Sequence, residues 1–192
     1  IEQETGIPSF GFFTNGMHSY VPGAAEAFEM LARRVVQEVP VRQQGSRLRV
    51  NILGLTPLDF SINGSDQSLK AFLTDKGFQV HSTWAMGDTL ENIGRSGEAD
   101  VNLVVSSTGL RAARELQRRF AIPYVAGLPV GPVLADRTAQ ALQEAARTGQ
   151  SQVLPLPRGS EGQAASTTII GEYLTSTSLA AALTASSGQA VR

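Results

Sequence analysis

The stretch "VNLVVSSTGLRAARELQRRF", residues 101–120, changes character halfway along its length. Residues 101–105 favour β structure and are almost entirely apolar, as in a strand that is buried on both faces. After the polar segment 106–109, apolar residues recur at helical spacing at Leu110, Ala113, Leu116 and Phe120. The stretch therefore predicts a strand followed directly by an amphipathic helix, which is the repeating unit of α/β proteins.

The same alternation extends along most of the chain. Further strands are predicted at 7–13, 49–55, 78–86, 122–128 and 168–171. Helices are predicted at 24–39, in the segment that Gly77 ends, after a cap at Asp88, and from Pro132 to about Arg147. Successive strand–helix units with right-handed crossovers predict a doubly wound, mostly parallel sheet with helices on both faces, as in a Rossmann-like domain.

The domain organisation predicted from these patterns has three parts. Residues 1–149 form a Rossmann-like α/β domain, and residues 150–167, which are rich in Pro, Gly, Ser and Gln, form a connector. Residues 168–192 form a further βα unit, which either completes the same sheet or starts the next domain. The chain opens on Ile1 rather than Met and ends where a strand is just starting, so we expect a fragment of a longer protein.

Composition excludes several classes of protein. The chain has 192 residues, of which 42% are hydrophobic and 17% charged, which suits a packed core and argues against disorder. A net charge of −1 argues against nucleic acid as a partner and against an anionic membrane surface. No apolar run approaches the roughly 20 residues that span a bilayer, and a cytoplasmic location is expected. The sequence contains no cysteine, which excludes disulfides and metal centres held by thiolates of this chain.

Common catalytic and nucleotide-binding motifs are missing. The sequence has no G-x-G-x-x-G, Walker A or G-x-S-x-G pattern, which disfavours a dinucleotide or nucleoside triphosphate site and an α/β-hydrolase. A triad of Ser106 with His81 and Asp59 or Asp88 is possible on paper, but no spacing supports it. We interpret the carboxylates of the predicted loops as helix caps and first-turn charges: Asp59, Asp66, Asp88 and Glu91.

Open parallel sheets bind ligands beyond the carboxyl ends of their strands, and five loops qualify: 14–23, 55–67, 86–89, 106–109 and 127–132. Two of these loops carry the candidate site residues. The first is Ser106-Ser107-Thr108-Gly109, where hydroxyls and free N–H groups at a helix start suit an anion or the carboxylates of a cofactor. The alternative is that Ser107 or Thr108 only caps the helix and no ligand binds. The second loop contains Asn15, Gly16 and His18, and His18 is either a ligand or proton donor or a surface residue.

Three segments, in this order and spacing, resemble the nitrogenase component 1-like oxidoreductases: "VNILGLTPLDF", "GDTLENI" and "ADVNLVVSSTGLRAARELQRRFAIPYVAGLPVG". That family includes the nitrogenase molybdenum–iron protein subunits, their cofactor-assembly scaffold and the light-independent protochlorophyllide and chlorophyllide reductases. It also includes the Ni-sirohydrochlorin reductive cyclase. The resemblance covers about residues 6–135 and, more weakly, the segment from 168. It implies a subunit of three Rossmann-like domains, of which this chain is a central portion.

The resemblance also implies what this chain lacks. The catalytic nitrogenase subunit has its cofactor-ligating cysteine at the position that matches Ser106 here. The Gly-His-His that opens the matching helix of that subunit corresponds to Gly23-Ala24-Ala25. The cysteines of the family's bridging iron–sulfur cluster would precede Ile1. We therefore do not expect dinitrogen reduction, and we expect no cofactor to be held by this chain alone.

The function that the resemblance implies belongs to the longer protein. It is a reductase of a tetrapyrrole or similar substrate, with an iron–sulfur cluster in the full-length protein. Its expected partners are a homologous subunit and a P-loop ATPase iron–sulfur reductase. Residues 106–109 and Asn15, Gly16 and His18 would line the pocket for the tetrapyrrole or metallocluster. The alternative is a non-catalytic cofactor-binding or assembly subunit with the same fold.

Overall fold

The computed structural model describes residues 1–7, 9–12, 17, 19–38, 47–60, 63–154, 167–187 and 191. Within them, five strands form one parallel sheet: β1 (Arg49–Leu53), β2 (Gln79–Thr83), β3 (Val101–Val104), β4 (Tyr124–Ala126) and β5 (Gln152–Val153). The strand order is β2-β1-β3-β4-β5. The prediction of a doubly wound α/β fold with a parallel sheet is confirmed.

The described helices are α1 (Glu2–Thr5), α2 (Val21–Arg34), α3 (Ser65–Asp75), α4 (Leu90–Gly94), α5 (Leu110–Phe120), α6 (Gly131–Thr148) and α7 (Tyr173–Ser187). A short 3₁₀ turn, Ser107–Gly109, leads from β3 into α5. The predicted strand–helix unit of residues 101–120 is confirmed.

The sheet is buried on both faces. On one face, alternate residues of β1 and β3 pack with α3 and α6, and this cluster contains Val50, Ile52, Val101, Leu103, Leu73 and Leu142. On the other face, Leu53 and Val104 pack with residues of α2 and α5. Because neighbouring strand residues face opposite sides, a strand covered on both sides must be apolar at nearly every position. This explains why residues 101–105 are apolar apart from Asn102.

The strand order positions the candidate site. From β1 the chain passes through α3 to β2 on one side, and it then returns to β3 on the other side of β1. The loops that follow β1 and β3 therefore diverge toward opposite faces of the sheet at their carboxyl ends. In doubly wound proteins this switch in strand order opens a crevice in which ligands bind.

Two predicted strands do not form in the described residues, and one strand forms where a connector was predicted. The described positions of the predicted strand 7–13 have no strand structure, and Ile7 is 63% exposed. Residues 168–171 have no regular structure either, although Thr167 forms an isolated parallel bridge with Val191. Conversely, β5 lies in the range predicted as a connector. Apolar composition indicates burial, but a strand also needs a neighbouring strand to accept its backbone hydrogen bonds.

The predicted cap of α4 is off by one residue. Thr89, not Asp88, is the N-cap, and its hydroxyl accepts a hydrogen bond from Asn92 N at 3.1 Å. The Asp88 carboxylate instead accepts bonds from the backbone N–H of Thr83 and from the Asn92 side chain. Both residue types are good caps, so composition alone does not separate adjacent candidates.

Candidate functional site

The loops that follow β1 and β3 touch through two glycines. A Cβ added to Gly109 would lie 2.7 Å from the carbonyl carbon of Leu53 and 2.8 Å from the nitrogen of Gly54. A Cβ added to Gly54, whose φ is +84°, would lie 2.9 Å from the carbonyl oxygen of Ser106. Backbone therefore meets backbone here without room for a side chain, and this contact fixes the two loops relative to each other.

Ser106 lies beneath this contact and is fully buried. Its hydroxyl donates to Asp59 Oδ2 at 2.9 Å. It accepts from the Thr108 hydroxyl at 2.7 Å and from the Thr108 backbone N–H at 3.2 Å. One donated and two accepted bonds use the whole capacity of a hydroxyl. A hydroxyl does cap this turn, as the capping interpretation states. The capping residue is Ser106, however, rather than Ser107 or Thr108.

Asp59 receives hydroxyl donors from three parts of the chain. Besides Ser106, Thr56 donates to Oδ2 at 3.2 Å, and Tyr20, just before α2, donates to Oδ1. Burial raises the pKa of the Asp59 carboxyl, the Ser106 hydrogen bond opposes that rise, and the negative charge of Glu172 adds to it. Asp59 is therefore not a helix cap, as its position after β1 had suggested, but the carboxylate that joins the two loops.

Glu172 bonds the same region to α7. Its Oε1 accepts from the backbone N–H of Ser107 at 2.8 Å, and its Oε2 accepts from the backbone N–H of Thr175 at 2.9 Å. Burial raises the pKa of the Glu172 carboxyl, but the hydrogen bonds from Ser107, Thr175 and Leu174 outweigh burial and hold that pKa below its ordinary value. The N–H group that was predicted to receive an external anion receives a carboxylate of this chain.

These residues surround an open depression of about 670 Å³, to which Tyr20, Leu58, Asp59, Ser107, Glu172 and Tyr173 contribute. Asp59, Ser107 and Glu172 are among its polar lining residues. Leu58 is 69% exposed and Tyr173 is 55% exposed, so both present apolar surface to solvent. A depression that combines apolar surface with polar groups at the switch in strand order lies where doubly wound proteins bind small molecules.

The predicted site residues are distributed unevenly around this depression. Ser107 lines it, whereas Ser106, Thr108 and Gly109 are buried behind it. Asn15, Gly16 and His18 lie outside the described residues. That these seven residues bind a cofactor stays a prediction.

Sequence reasoning missed Tyr20, Leu58, Glu172 and Tyr173 and misread Asp59. Asp59 follows β1 and Ser106 follows β3, so knowing the strand order would have brought the two together. No comparable signal marks Glu172, which lies 65 residues from the Ser107 N–H it accepts.

The triad that is possible on paper does not form. Ser106 does hydrogen-bond Asp59. His81, however, lies on β2, and its Nε2 is 2.8 Å from the backbone oxygen of Arg95 rather than at the Ser106 hydroxyl. Asp88 is bonded to Thr83 and Asn92. His81 and Asp88 are therefore not partners of the Ser106 hydroxyl.

The residues present do not fit an iron–sulfur cluster. The sequence contains no cysteine, and the described part of the chain brings together no group of three or more His, Asp or Glu side chains able to hold a metal ion. Across the same described ranges, no helix is both long enough and apolar enough to cross a bilayer.

Comparison with known proteins identifies relatives of this chain. A light-independent protochlorophyllide reductase subunit from Rubrivivax gelatinosus (strain NBRC 100245 / IL144) is 30% identical over 118 residues, which cover 57% of this chain and 22% of that protein. The corresponding subunit from Rhodopseudomonas palustris (strain BisA53) is 33% identical over 134 residues, which cover 65% of this chain and 25% of that protein. This chain thus matches about a quarter of the length of these curated relatives.

A solved structure shows the same fold. Nitrogenase Cp1 at pH 6.5 superposes with a TM-score of 0.61 at 21% identity, over 75% of this chain and 27% of that one. The family model of the nitrogenase component 1 type oxidoreductases matches residues 3–181, nearly the whole chain. On that match, the protein belongs to the nitrogenase component 1 type oxidoreductase family.

Proposed function

We propose that this chain is a central part of an oxidoreductase subunit whose complete form reduces a tetrapyrrole. The observation that carries the proposal is the open depression at the carboxyl ends of β1 and β3. Its volume of about 670 Å³ lies within the range of small-molecule sites, and apolar surface adjoins its polar floor. A flat aromatic macrocycle needs this combination of apolar contact area and a few directed hydrogen bonds.

The relatives support a tetrapyrrole in particular. Curated proteins that match this chain are subunits of light-independent protochlorophyllide reductases. We infer that the depression receives one edge of such a macrocycle, with Leu58 and Tyr173 against its apolar face. Ser107 would contact it directly, while Ser106, Thr108 and Gly109 hold the wall in place behind. Asn15, Gly16 and His18, which adjoin the lining residue Ser19 in sequence, would extend the contact.

Dinitrogen reduction on a metallocluster is disfavoured by the chemistry at Ser106. A serine hydroxyl is a poor ligand for the soft iron of a sulfur-rich cluster. This hydroxyl is also buried and fully engaged with Asp59 and Thr108. The position at which the resemblance places a ligating cysteine therefore offers no metal ligand here.

The proposal for the electron supply rests on the family rather than on residues of this chain. We propose that the complete protein holds its iron–sulfur cluster with residues outside this sequence, that it pairs with a homologous subunit, and that it receives electrons from a P-loop ATPase iron–sulfur reductase. An ATP-dependent electron donor implies a cytoplasmic location.

The test uses the complete protein, purified without oxygen. We would mix it with protochlorophyllide, a P-loop ATPase iron–sulfur reductase from the same genome and ATP, and follow the absorbance of the macrocycle. We expect a band shift on binding and a slower change that requires both ATP and the reductase. A protein that gives neither signal would contradict the proposal.

A second function is favoured by one observation, namely that the described residues bring together no group of side chains able to hold a metal ion. It is a non-catalytic subunit that binds or helps to assemble a cofactor. In the same experiment such a subunit would shift the absorbance of the macrocycle on binding and then give no ATP-dependent change. The two functions are therefore separated by the second signal alone.

A further inference from the structure

The charged side chains described in the lining of the depression are negative. Two of its lining side chains are carboxylates, Asp59 and Glu172, and their charges are close enough for Glu172 to disfavour ionisation of Asp59. Among the described residues that line it, none is Lys, Arg or His. A ligand that enters here therefore meets negative charge without a cation to balance it.

Asp59 keeps some capacity to accept hydrogen bonds, whereas the acceptor positions of Glu172 are used by donors of this chain. A carboxylate offers about four acceptor positions, and the hydroxyls of Tyr20, Thr56 and Ser106 occupy three of those on Asp59. On Glu172, the backbone N–H groups of Ser107, Thr175 and Leu174 and the side chain of Ser107 all hydrogen-bond the carboxylate. The remaining position on Asp59 is filled well by an N–H or O–H donor and cannot be filled by a second carboxylate.

Resting on the function proposed above, we propose that this depression selects by charge among tetrapyrroles. It accepts a macrocycle edge that is uncharged and donates hydrogen bonds, such as an amide, and it rejects an edge that carries a free carboxylate. Asp59 and Glu172 are the residues that determine this specificity. The apolar contacts of Leu58 and Tyr173 are the same for both kinds of edge, so discrimination rests on the two carboxylates.

The size of the effect follows from charge repulsion in a partly open site. Repulsion between like charges weakens as the surrounding dielectric constant rises, and it is small in bulk water. The depression is open to solvent, so the repulsion is modest. We expect roughly tenfold weaker binding of a carboxylate-bearing edge, and a smaller ratio at high salt because solvent ions screen exposed charges.

The test compares two ligands that share one macrocycle. Coproporphyrin I carries four carboxylates, and coproporphyrin I tetraamide carries neutral amides at the same positions. Each is titrated into the protein and followed by porphyrin fluorescence, for the unchanged chain and for Asp59→Asn and Glu172→Gln separately. Glu144→Gln is the control, because Glu144 pairs with Arg147 in the last turn of α6, at the opposite edge of the sheet.

We expect the tetraamide to bind the unchanged chain roughly tenfold more tightly than the acid. Each of Asp59→Asn and Glu172→Gln should narrow that ratio, mainly by improving binding of the acid, and Glu144→Gln should leave it unchanged. Equal binding of acid and tetraamide, or a ratio that neither variant narrows, would overturn charge selection while leaving tetrapyrrole binding intact. Failure of both porphyrins to bind would instead overturn the proposed function, and with it the selection.

Discussion

The two sides of the depression are built differently. On the sheet side, Gly54 and Gly109 bring two backbones into contact, and Ser106 is buried with every hydrogen-bonding position used. On the helix side, Gly171–Tyr173 precedes and begins α7, Tyr173 is half exposed, and Glu172 holds it to the sheet. The sheet side therefore fixes the geometry of the site, whereas Leu58 and Tyr173 supply exposed apolar surface to the depression.

The largest expected effect is a loss of stability on the sheet side. A Cβ at Gly109 would meet backbone atoms of Leu53 and Gly54, which have no flexible side chain to yield, so Gly109→Ala should cost about 3 kcal/mol or more. Gly171→Ala on the helix side should change stability by less than about 0.5 kcal/mol, since its Cβ would lie 3.8 Å from Ser176 Cβ, an ordinary contact. Urea unfolding of both variants measures the difference, and equal losses would remove the distinction between the two sides.

The second effect concerns access to solvent. The sequence contains no cysteine, so a single introduced thiol reports on its own surroundings. Ser106→Cys should react with a thiol reagent on the order of a hundredfold more slowly than Ser107→Cys, because a buried thiol waits for local opening. Thr108→Cys, at an equally buried position, should be as slow as Ser106→Cys. Fast labelling at position 106 under native conditions would mean that this residue faces the depression.

A moderate loss of stability is expected on substitution of Glu172, which hydrogen-bonds the helix side to the sheet side. Glu172→Gln should destabilise the protein by about 1–2 kcal/mol at pH 7, because backbone N–H groups lose a charged acceptor. The folded pKa of Glu172 is lowered, so its contribution is present above the pKa of the unfolded chain and is lost as the pH falls through the folded value. The gap between the two proteins in urea unfolding should therefore shrink below about pH 4; a constant gap would show that charge is not involved.

The smallest change in stability is expected from Asp59, and its pH dependence has the opposite sign to that of Glu172. Its folded pKa is raised, so its contribution to stability is full below the unfolded pKa of about 4 and is lost as the pH rises through the folded value. Relative to Asp59→Asn, the unchanged protein should therefore lose stability between pH 4 and pH 7. The change should be below about 1 kcal/mol, since solvent screens this partly exposed carboxyl. Urea unfolding of both proteins at pH 4 and pH 7 measures this difference. A gain in stability of the unchanged protein relative to Asp59→Asn as the pH rises would contradict the prediction.

The fold was largely predictable because its signals are local. The apolar run at 101–105 and the helical spacing that follows it predict β3 and α5 with almost correct bounds. Strand ends were less predictable, since Gly54 adopts a left-handed conformation just after β1 and turns the chain out of the ladder. Predicted strands without a neighbouring strand, as at 7–13, do not form in the described residues.

The site was predictable only in part, because its contacts join distant residues. The segment 106–109 follows a buried strand, and that local signal placed it at the correct edge of the sheet. Its partners do not lie nearby: Asp59 is 47 residues from Ser106, and Glu172 is 65 residues from Ser107. Periodicity reports which face of an element is buried but not which elements become neighbours, so the carboxylates could not be assigned before the strand order was known.

A protochlorophyllide titration of two matched leucine variants decides whether the depression binds a macrocycle. Leu58 lines the depression and is 69% exposed, whereas Leu90, on α4, is 65% exposed and is not among the lining residues. Both substitutions by alanine should leave stability nearly unchanged, because neither side chain is buried. If the depression binds the macrocycle, Leu58→Ala should weaken binding roughly fivefold to tenfold through lost apolar contact, and Leu90→Ala should not change it. Equal affinities of the two variants would show that the macrocycle does not bind in this depression.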